Sequence, residues 1–191
     1  MPNQKNPWTK INTDIKYDNP WISVSEHKVL KPNGEPGLYG LVHFKNVAIG
    51  VLALDTNDHV LLVGQYRYAL ERYSWELPEG GCPDKEQPLD AAKRELEEET
   101  GYRAKTWKKI LDLDLSNSST DERAIVYLAT NLTVHEASPE DTEVLTIKSV
   151  PLMTAVEMVL RGEITDGISV AALLYAGLKK DELGKAGSTL C

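Results

Sequence analysis

The chain has 191 residues, and its 21 Lys and Arg against 29 Asp and Glu leave a formal charge of −8 at pH 7. A content of 41% hydrophobic and 26% charged residues is that of a folded globular protein and excludes a mostly disordered chain. The acidic balance argues against an electrostatic grip on nucleic acid or on an anionic membrane, which needs clustered Lys and Arg, so neither is expected as a partner. A cation-dependent site stays open.

Only Cys82 and Cys191 occur, far apart and without CxxC spacing, so neither a zinc site nor a disulfide framework is suggested. The start, MPNQKNPWTK, has no apolar signal-type region, and no apolar run reaches the roughly 18 residues of a membrane span. A cytoplasmic location is the expectation.

After a polar leader, Trp21 to Leu30 and Leu38 to Phe44 flank the turn-rich stretch Lys31 to Gly37 and predict a β-hairpin. Two β-branched runs, Val47 to Leu54 and Val60 to Tyr68, are separated by Asp55-Thr56-Asn57-Asp58 and predict paired strands near a core. Gly80-Gly81 after a strand from Trp75 to Leu77 reads as a tight turn or as a place where backbone approaches a ligand closely. A helix is predicted from about Pro88 to Thr100, with Pro88 suited to its first position and Gly101 to its stop. Strands follow from Ile110 to Leu115, Ala124 to Thr130 and Val144 to Val150. A second helix starts near Pro151, carries Met153, Val156 and Leu160 at i, i+3, i+7 spacing and ends at Gly162; a third runs from about Ser169 to Leu183. This mixture predicts an α/β sandwich preceded by a small β module, divided as residues 1–45 and 46–191.

The informative stretch is Gly80 to Tyr102, GGCPDKEQPLDAAKRELEEETGY, with seven acids against three bases. At about 100° per residue Glu95 and Glu99 share a helix face with Glu98 beside them, Leu89, Ala92 and Leu96 form an adjoining apolar face, and Glu97 points away. Like charges at i, i+4 destabilise a helix by about 0.2 to 0.5 kcal/mol per pair, so helix formation itself does not ask for this cluster. A divalent cation removes the repulsion, and carboxylate oxygens are the ligands that Mg²⁺ prefers. Arg94, four residues before Glu98, can brace it. The competing reading of a glutamate run is a solvated helix face.

The spacing decides between them. The stretch fits G-x5-E-x7-R-E-U-x-E-E-x-G-U, where U is bulky and apolar, on Gly80, Glu86, Arg94, Glu95, Leu96, Glu98, Glu99, Gly101 and Tyr102. Seven fixed identities at ordinary residue frequencies coincide with odds on the order of 10⁻⁸. Tyr102 is the mildest departure, aromatic where an aliphatic residue is commoner. This resembles the box of the Nudix hydrolases, which cleave a diphosphate linked to another moiety. GQYRYALERYSWELPEGG before the box, VPLMTAVEMVLRGEITDGISVAALL near the end and the N-terminal hairpin resemble the branch that hydrolyses ADP-ribose and other nucleoside diphosphate sugars.

The resemblance implies a Nudix α/β/α sandwich with a mixed sheet, and a homodimer formed through the N-terminal antiparallel β module. It implies Mg²⁺, with Mn²⁺ as a substitute, held by Glu95 and Glu99, with Glu98 as a further or bracing ligand and the backbone carbonyl of Glu79 as another. Glu86 takes a structural or a metal-related role. The branch draws its general base from a downstream acidic loop, here HEASPEDTEVLT with Glu136, Glu140, Asp141 and Glu143; Glu140 and Glu143 stand nearest the family's position, and a base within the box, where Glu98 is the candidate, is the alternative. Arg67 matches an arginine used on phosphate oxygens, Arg123 is a weaker second candidate, and Trp8, Trp21, Tyr39 and Tyr66 are available for base stacking. Cys82 reads as a bystander rather than a nucleophile, with no histidine nearby in sequence to activate it.

The implied activity is hydrolysis of a nucleoside diphosphate sugar to a nucleoside monophosphate and a sugar phosphate. Members that prefer ADP-ribose commonly carry a proline about fifteen residues beyond the box, where this chain has Asn117, so GDP-mannose remains an alternative sugar nucleotide. Cleavage of nucleoside triphosphates or dinucleoside polyphosphates is a second enzymatic reading, and a non-catalytic nucleotide-sensing module is a reading of another class.

Overall fold

The computed structural model describes residues 5–135, 144–180 and 182. The chain divides into two compact units: one is made of Met1–Asn46 with Asp114–Arg123, and the other of Val47–Leu113 with Ala124–Cys191.

The first unit is an antiparallel sheet in the order β1-β2-β3, with β1 at Thr9–Asp18, β2 at Ile22–Leu30 and β3 at Pro36–Phe44. The predicted hairpin is β2 and β3, paired from Ile22↔Phe44 to Leu30↔Pro36. The turn between them is shorter than expected, because Pro36 and Gly37 already join the ladder. The polar leader is not a leader but strand β1, and its signal was present: Thr9, Ile11, Thr13, Ile15 and Tyr17 alternate with polar residues. Two register shifts, at Lys10/Asn12 and Ile15/Tyr17, let its ten residues pair with a shorter run of β2. The 114–123 segment contributes a parallel bridge, Thr120 to Val42, and Asp121 binds both the Phe44 N–H at 3.0 Å and His43 Nδ1 at 2.6 Å.

The second unit contains two sheets. One has the order β10-β5-β6, with β5 at His59–Arg67, β6 at Arg72–Glu76 and β10 at Thr146–Pro151. The other has the order β7-β4-β9-β8, with β4 at Val47–Ala53, β7 at Glu79–Cys82, β8 at Tyr102–Asp114 and β9 at Arg123–Val134. This sheet is mixed: β4 runs parallel to β9 and antiparallel to β7. The expectation that Val47 to Leu54 and Val60 to Tyr68 pair with each other is corrected. They lie in different sheets and meet only in one bridge, Leu54 to Val60, because both edges of β4 are taken by β7 and β9. Gly80-Gly81 is likewise not a turn but part of β7, opposite Ile49 and Ala48.

Helix α1, Pro88–Thr100, has the predicted bounds. Pro88 starts it, and Gly101 ends it in the left-handed region at φ 70°, its N–H donating to the Glu97 carbonyl. Ala91, Ala92 and Leu96 form one core cluster with Ile49, Val51 and Ala53 of β4. Helices α2, Leu152–Leu160, and α3, Gly167–Leu178, follow. Alternate residues of β4 face opposite ways, so Gly50 meets Ile168 of α3 on the side away from α1. Helix, sheet and helix are thus layered as an α/β/α sandwich. The stripe Met153, Val156 and Leu160 is corrected: Met153 and Leu160 are exposed, and α2 buries Leu152, Ala155, Val156 and Met158 instead. Helix α3 ends at Leu178; Leu183 lies outside the described residues. Among the described residues no helix is long and apolar enough to cross a membrane.

Candidate active site

Helix α1 and strand β7 assemble the carboxylates. Glu95 and Glu99 are buried, at 9% and 2% exposure, an unusual fate for glutamates, and both lie on the face of α1 that carries Leu96 inward. Arg94 gathers the acids. Its Nε and Nη2 take the two oxygens of Glu86 at 3.1 and 2.9 Å, Nη1 takes Glu95 at 2.7 Å and Glu98 at 3.0 Å, and Nη2 also reaches the Gly81 carbonyl at 3.0 Å. These bonds, led by that to Glu86, raise the Arg94 pKa against the opposing effect of burial. Arg94 thus does brace Glu98, and Glu86 serves at least this structural task. Glu97 faces elsewhere and pairs with Arg103.

Strand β7 closes the cluster. The Glu79 N–H donates to Glu99 Oε2 at 3.0 Å, so the backbone at Glu79 lies directly on this carboxylate. A Cβ at Gly80 would stand 2.2 Å from the Glu95 carboxylate carbon, so only glycine leaves that carboxylate its place.

Among the described residues no three His, Cys, Asp or Glu side chains are already drawn round a common point as metal ligands; the guanidinium of Arg94 lies between Glu95 and Glu98. The donor set nevertheless suits a hard divalent cation. It consists of oxygens only, two of its carboxylates are buried, and a glycine clears the approach.

A second group of side chains lies on the other face of β7. Arg67, at the end of β5, points Nε at both oxygens of Glu76, at 3.1 and 3.0 Å; its Nη2 bonds Glu76 and also Glu79 Oε1, the latter at 2.8 Å. Burial alone would lower the Arg67 pKa, but Glu76 and then Glu79 raise it. Among the described residues the other oxygen of Glu79, Oε2, is buried without a hydrogen-bond partner. Desolvation first, then Asp166 and Glu76, push the Glu79 carboxyl well above the ordinary carboxylate range, with Arg67 opposing. These residues, with Tyr68, Leu70, Arg72 and Thr165, line a pocket of about 660 Å³.

The remaining sequence candidates fall as follows. Glu140 and Glu143, with Glu136 and Asp141, lie outside the described residues. Arg123 is well exposed, with Asp114 at 4.0 Å, and is part of the first unit. Tyr39 donates its hydroxyl to the Ser118 carbonyl and packs edge-on against Trp8, which favours packing roles for both. Trp21 and Tyr66 are exposed, and Asn117 sits in an exposed turn. The Cys82 thiol is buried, and burial followed by Glu86 raises its pKa, consistent with a bystander. Sequence reading missed Glu76, Arg72 and Asp166. For Glu76 a signal existed, since Ser74 and Glu76 occupy one alternating face of a short aromatic strand; for Asp166, contact with a pocket reached from residues a hundred positions earlier leaves no local trace.

A sandwich that gathers buried glutamates on a helix, clears them with a glycine strand and sets an arginine-lined pocket nearby has the make-up of a metal-assisted phosphoanhydride hydrolase. Residues 44–172 match the NUDIX domain, and residues 8–42 match the nucleoside diphosphate sugar hydrolase N-terminal domain. The chain belongs to the Nudix family. It is 36% identical over 151 residues to the ADP-ribose pyrophosphatase of Bacillus subtilis (strain 168), covering 78% of this chain and 81% of that one. It is 40% identical over 131 residues to the ADP-ribose pyrophosphatase of Mycobacterium tuberculosis, covering 66% of this chain and 63% of that protein's length. The GDP-mannose pyrophosphatase of Yersinia enterocolitica is 30% identical over 131 residues, 63% of this chain and 67% of its own. A solved structure described as an ADP compounds hydrolase shares the fold with a TM-score of 0.83 at 20% identity, over 94% of this chain and 98% of that one.

Proposed function

We propose that this protein is a Mg²⁺-dependent pyrophosphatase that hydrolyses nucleoside diphosphate sugars, ADP-ribose first among them, to a nucleoside monophosphate and a sugar phosphate. The observation that carries the reading is the intact box in three dimensions: Glu95 and Glu98 gathered by Arg94, Glu99 held by the Glu79 N–H, and Gly80 leaving Glu95 its space. The match of residues 8–42 and the names of the relatives support the substrate class.

In this reading Glu95, Glu99, Glu98 and the Glu79 carbonyl hold the cation, with Mn²⁺ able to replace Mg²⁺. When bound, the cation neutralises the diphosphate and lowers the pKa of the attacking water. The protein's own part is positional. Arg94 keeps the mutually repelling carboxylates in register, Glu79 N–H fixes Glu99, and Arg67 presents a guanidinium to phosphate oxygens. A carboxylate of the 136–143 loop, Glu140 or Glu143, accepts the proton of the attacking water; Glu98 is the alternative within the box.

The N-terminal module, residues 1–45, carries exposed Ile11, Ile15, Tyr17, Trp21 and Leu38, an apolar surface that supports a homodimer. We take it to be a cytoplasmic enzyme with a small-molecule partner, and its acidic charge supports the reading that nucleic acid is not a partner. Asn117 in place of proline, and the GDP-mannose pyrophosphatase relative, support a second substrate beside ADP-ribose. The test is a panel of ADP-ribose, GDP-mannose, nucleoside triphosphates and dinucleoside polyphosphates with Mg²⁺, run in ¹⁸O-water. Label should enter a phosphate product and leave the anomeric hydroxyl unlabelled. Cleavage of nucleoside triphosphates alone would overturn the assignment.

A further inference from the structure

Arg67 and Arg72 are direct cross-strand partners at the end of the β5–β6 hairpin, either side of the single 3₁₀ turn Tyr68–Leu70. Directly opposed residues of an antiparallel pair share a face, and like charges so placed are destabilising. Arg67 has its compensation in the carboxylate of Glu76 and also bonds Glu79. Among the described residues Arg72 has no carboxylate partner; its one protein hydrogen bond is from Nη2 to the neutral Thr165 Oγ1, at 3.0 Å. Both arginines line the 660 Å³ pocket.

The acids of the pocket do not explain Arg72. Glu76 and Glu79 are turned onto the Nε and Nη2 edge of Arg67, and Asp166 takes the Ser169 N–H with Oδ2 at 2.7 Å as the cap of α3. What faces the open space is the other edge of Arg67, whose Nη1 has no protein partner among the described residues, and most of the fork of Arg72. Two guanidinium groups held side by side with unused donors suit one ligand chemistry, adjacent oxyanions bridged by an anhydride.

We propose that Arg72 is a second phosphate-binding residue, which with Arg67 clamps the two phosphates of the substrate diphosphate in the pocket at the β5–β6 turn, with Glu76 as the positioning residue that aims Arg67. This deepens the proposed function and rests on it for the identity of the diphosphate, but the clamp itself is a statement about oxyanion binding.

The test separates the two. Binding of inorganic pyrophosphate to the full chain in EDTA is measured by calorimetry, without turnover. Arg72→Gln should weaken it about tenfold and Arg72→Lys less, because the ammonium keeps charge but not the fork. Arg161→Gln, the same charge change on an exposed residue paired with Glu157 and Glu163, should stay within about twofold of wild type. In parallel, Arg72→Gln should raise the KM for ADP-ribose about tenfold and move kcat less. The proposal is overturned if wild type binds no pyrophosphate, if Arg72→Gln binds it as wild type does, or if Arg161→Gln weakens binding equally. Arg72-dependent pyrophosphate binding in a protein that cleaves no nucleotide sugar would leave the clamp standing and remove the substrate assignment.

Discussion

Replacing Gly80 with alanine puts a methyl group 2.2 Å from the Glu95 Cδ and 2.2 and 2.3 Å from its oxygens, where ordinary contact begins at 3.4 Å. More than an ångström must be found. Strand β7 cannot easily supply it, because Gly80 pairs with Ile49 and Glu79 with Gly50, both on the buried central strand β4. The carboxylate of Glu95 therefore moves, and its 2.7 Å bond to Arg94 goes with it. Loss of one charge-assisted hydrogen bond costs about 1.5 to 3 kcal/mol, partly offset by the roughly 0.4 to 1 kcal/mol that alanine gains over glycine in the unfolded chain. A net loss of about 0.5 to 2.6 kcal/mol lowers Tm by roughly 1 to 10 °C in a protein of this size. A misplacement of about 1 Å at a reacting centre costs on the order of 10²-fold in rate. The Gly80→Ala variant should thus remain folded by circular dichroism, lose about two orders of magnitude in kcat and need more Mg²⁺ for half-activation. A double-mutant cycle isolates the cause: in a Glu95→Ala background the added methyl meets no carboxylate and should change little. A Gly80→Ala enzyme with wild-type kcat and metal dependence would refute the reasoning.

Glu99→Gln keeps an acceptor for the Glu79 N–H but removes the charge, so the fold should persist while turnover falls by orders of magnitude; near-normal activity would cancel the ligand assignment. Glu140→Gln or Glu143→Gln should lower kcat with metal affinity retained, and full activity in both would move the base into the box. Sedimentation at micromolar protein should give a dimer, and a fully active 21.2 kDa monomer would contradict that assembly. Glu79 makes a pH prediction in EDTA. Its folded pKa lies above the ordinary 4.5, so the folded state binds the proton more tightly than the unfolded one, and stability from this group is greatest below 4.5 and declines as pH rises from there toward the folded value. Glu79→Gln, neutral and of the same shape, should remove that decline; an unchanged slope of stability against pH would show that Glu79 is ionised in the fold.

The box was legible because its spacing is fixed by one helix: Glu95, Glu98, Glu99 and Arg94 meet within two turns, and helical geometry alone predicts which of them share a face. The bounds of α1 followed from Pro88 and Gly101 for the same local reason. Pairing partners were not legible. The runs at Val47 and Val60 are equally apolar and adjacent in sequence, yet each finds its neighbours in β7, β9, β6 and β10, and nothing in either run names those partners. Strand β1 was missed because all of its residues are exposed, so the polar half of its alternation looked like a solvated leader. Of the two readings of Gly80-Gly81 the turn fails, because the reason for glycine at position 80 is a side chain fifteen residues on, not the local backbone angle.

The alternation of strand β7 explains how one short segment can serve both halves of the candidate site. Successive residues of a strand face opposite ways. Gly80 therefore turns its missing side chain to Glu95 on α1, while Glu79 turns its carboxylate to Arg67 and the pocket. The Glu79 N–H, in the plane of the chain, holds Glu99, and two residues earlier the Leu77 N–H is held by Ser169 Oγ near the start of α3. Residues 77 to 80 thus fix the carboxylates of α1, the guanidinium of Arg67 and the first turn of α3 to the same stretch of backbone. A chain that must place phosphate donors and metal ligands within an ångström of their working positions gains from referring both to one strand, because any displacement of that strand moves the two sets together and preserves their separation. Substitutions that shift β7 as a body should accordingly be milder for catalysis than substitutions, such as Gly80→Ala, that move one set against the other.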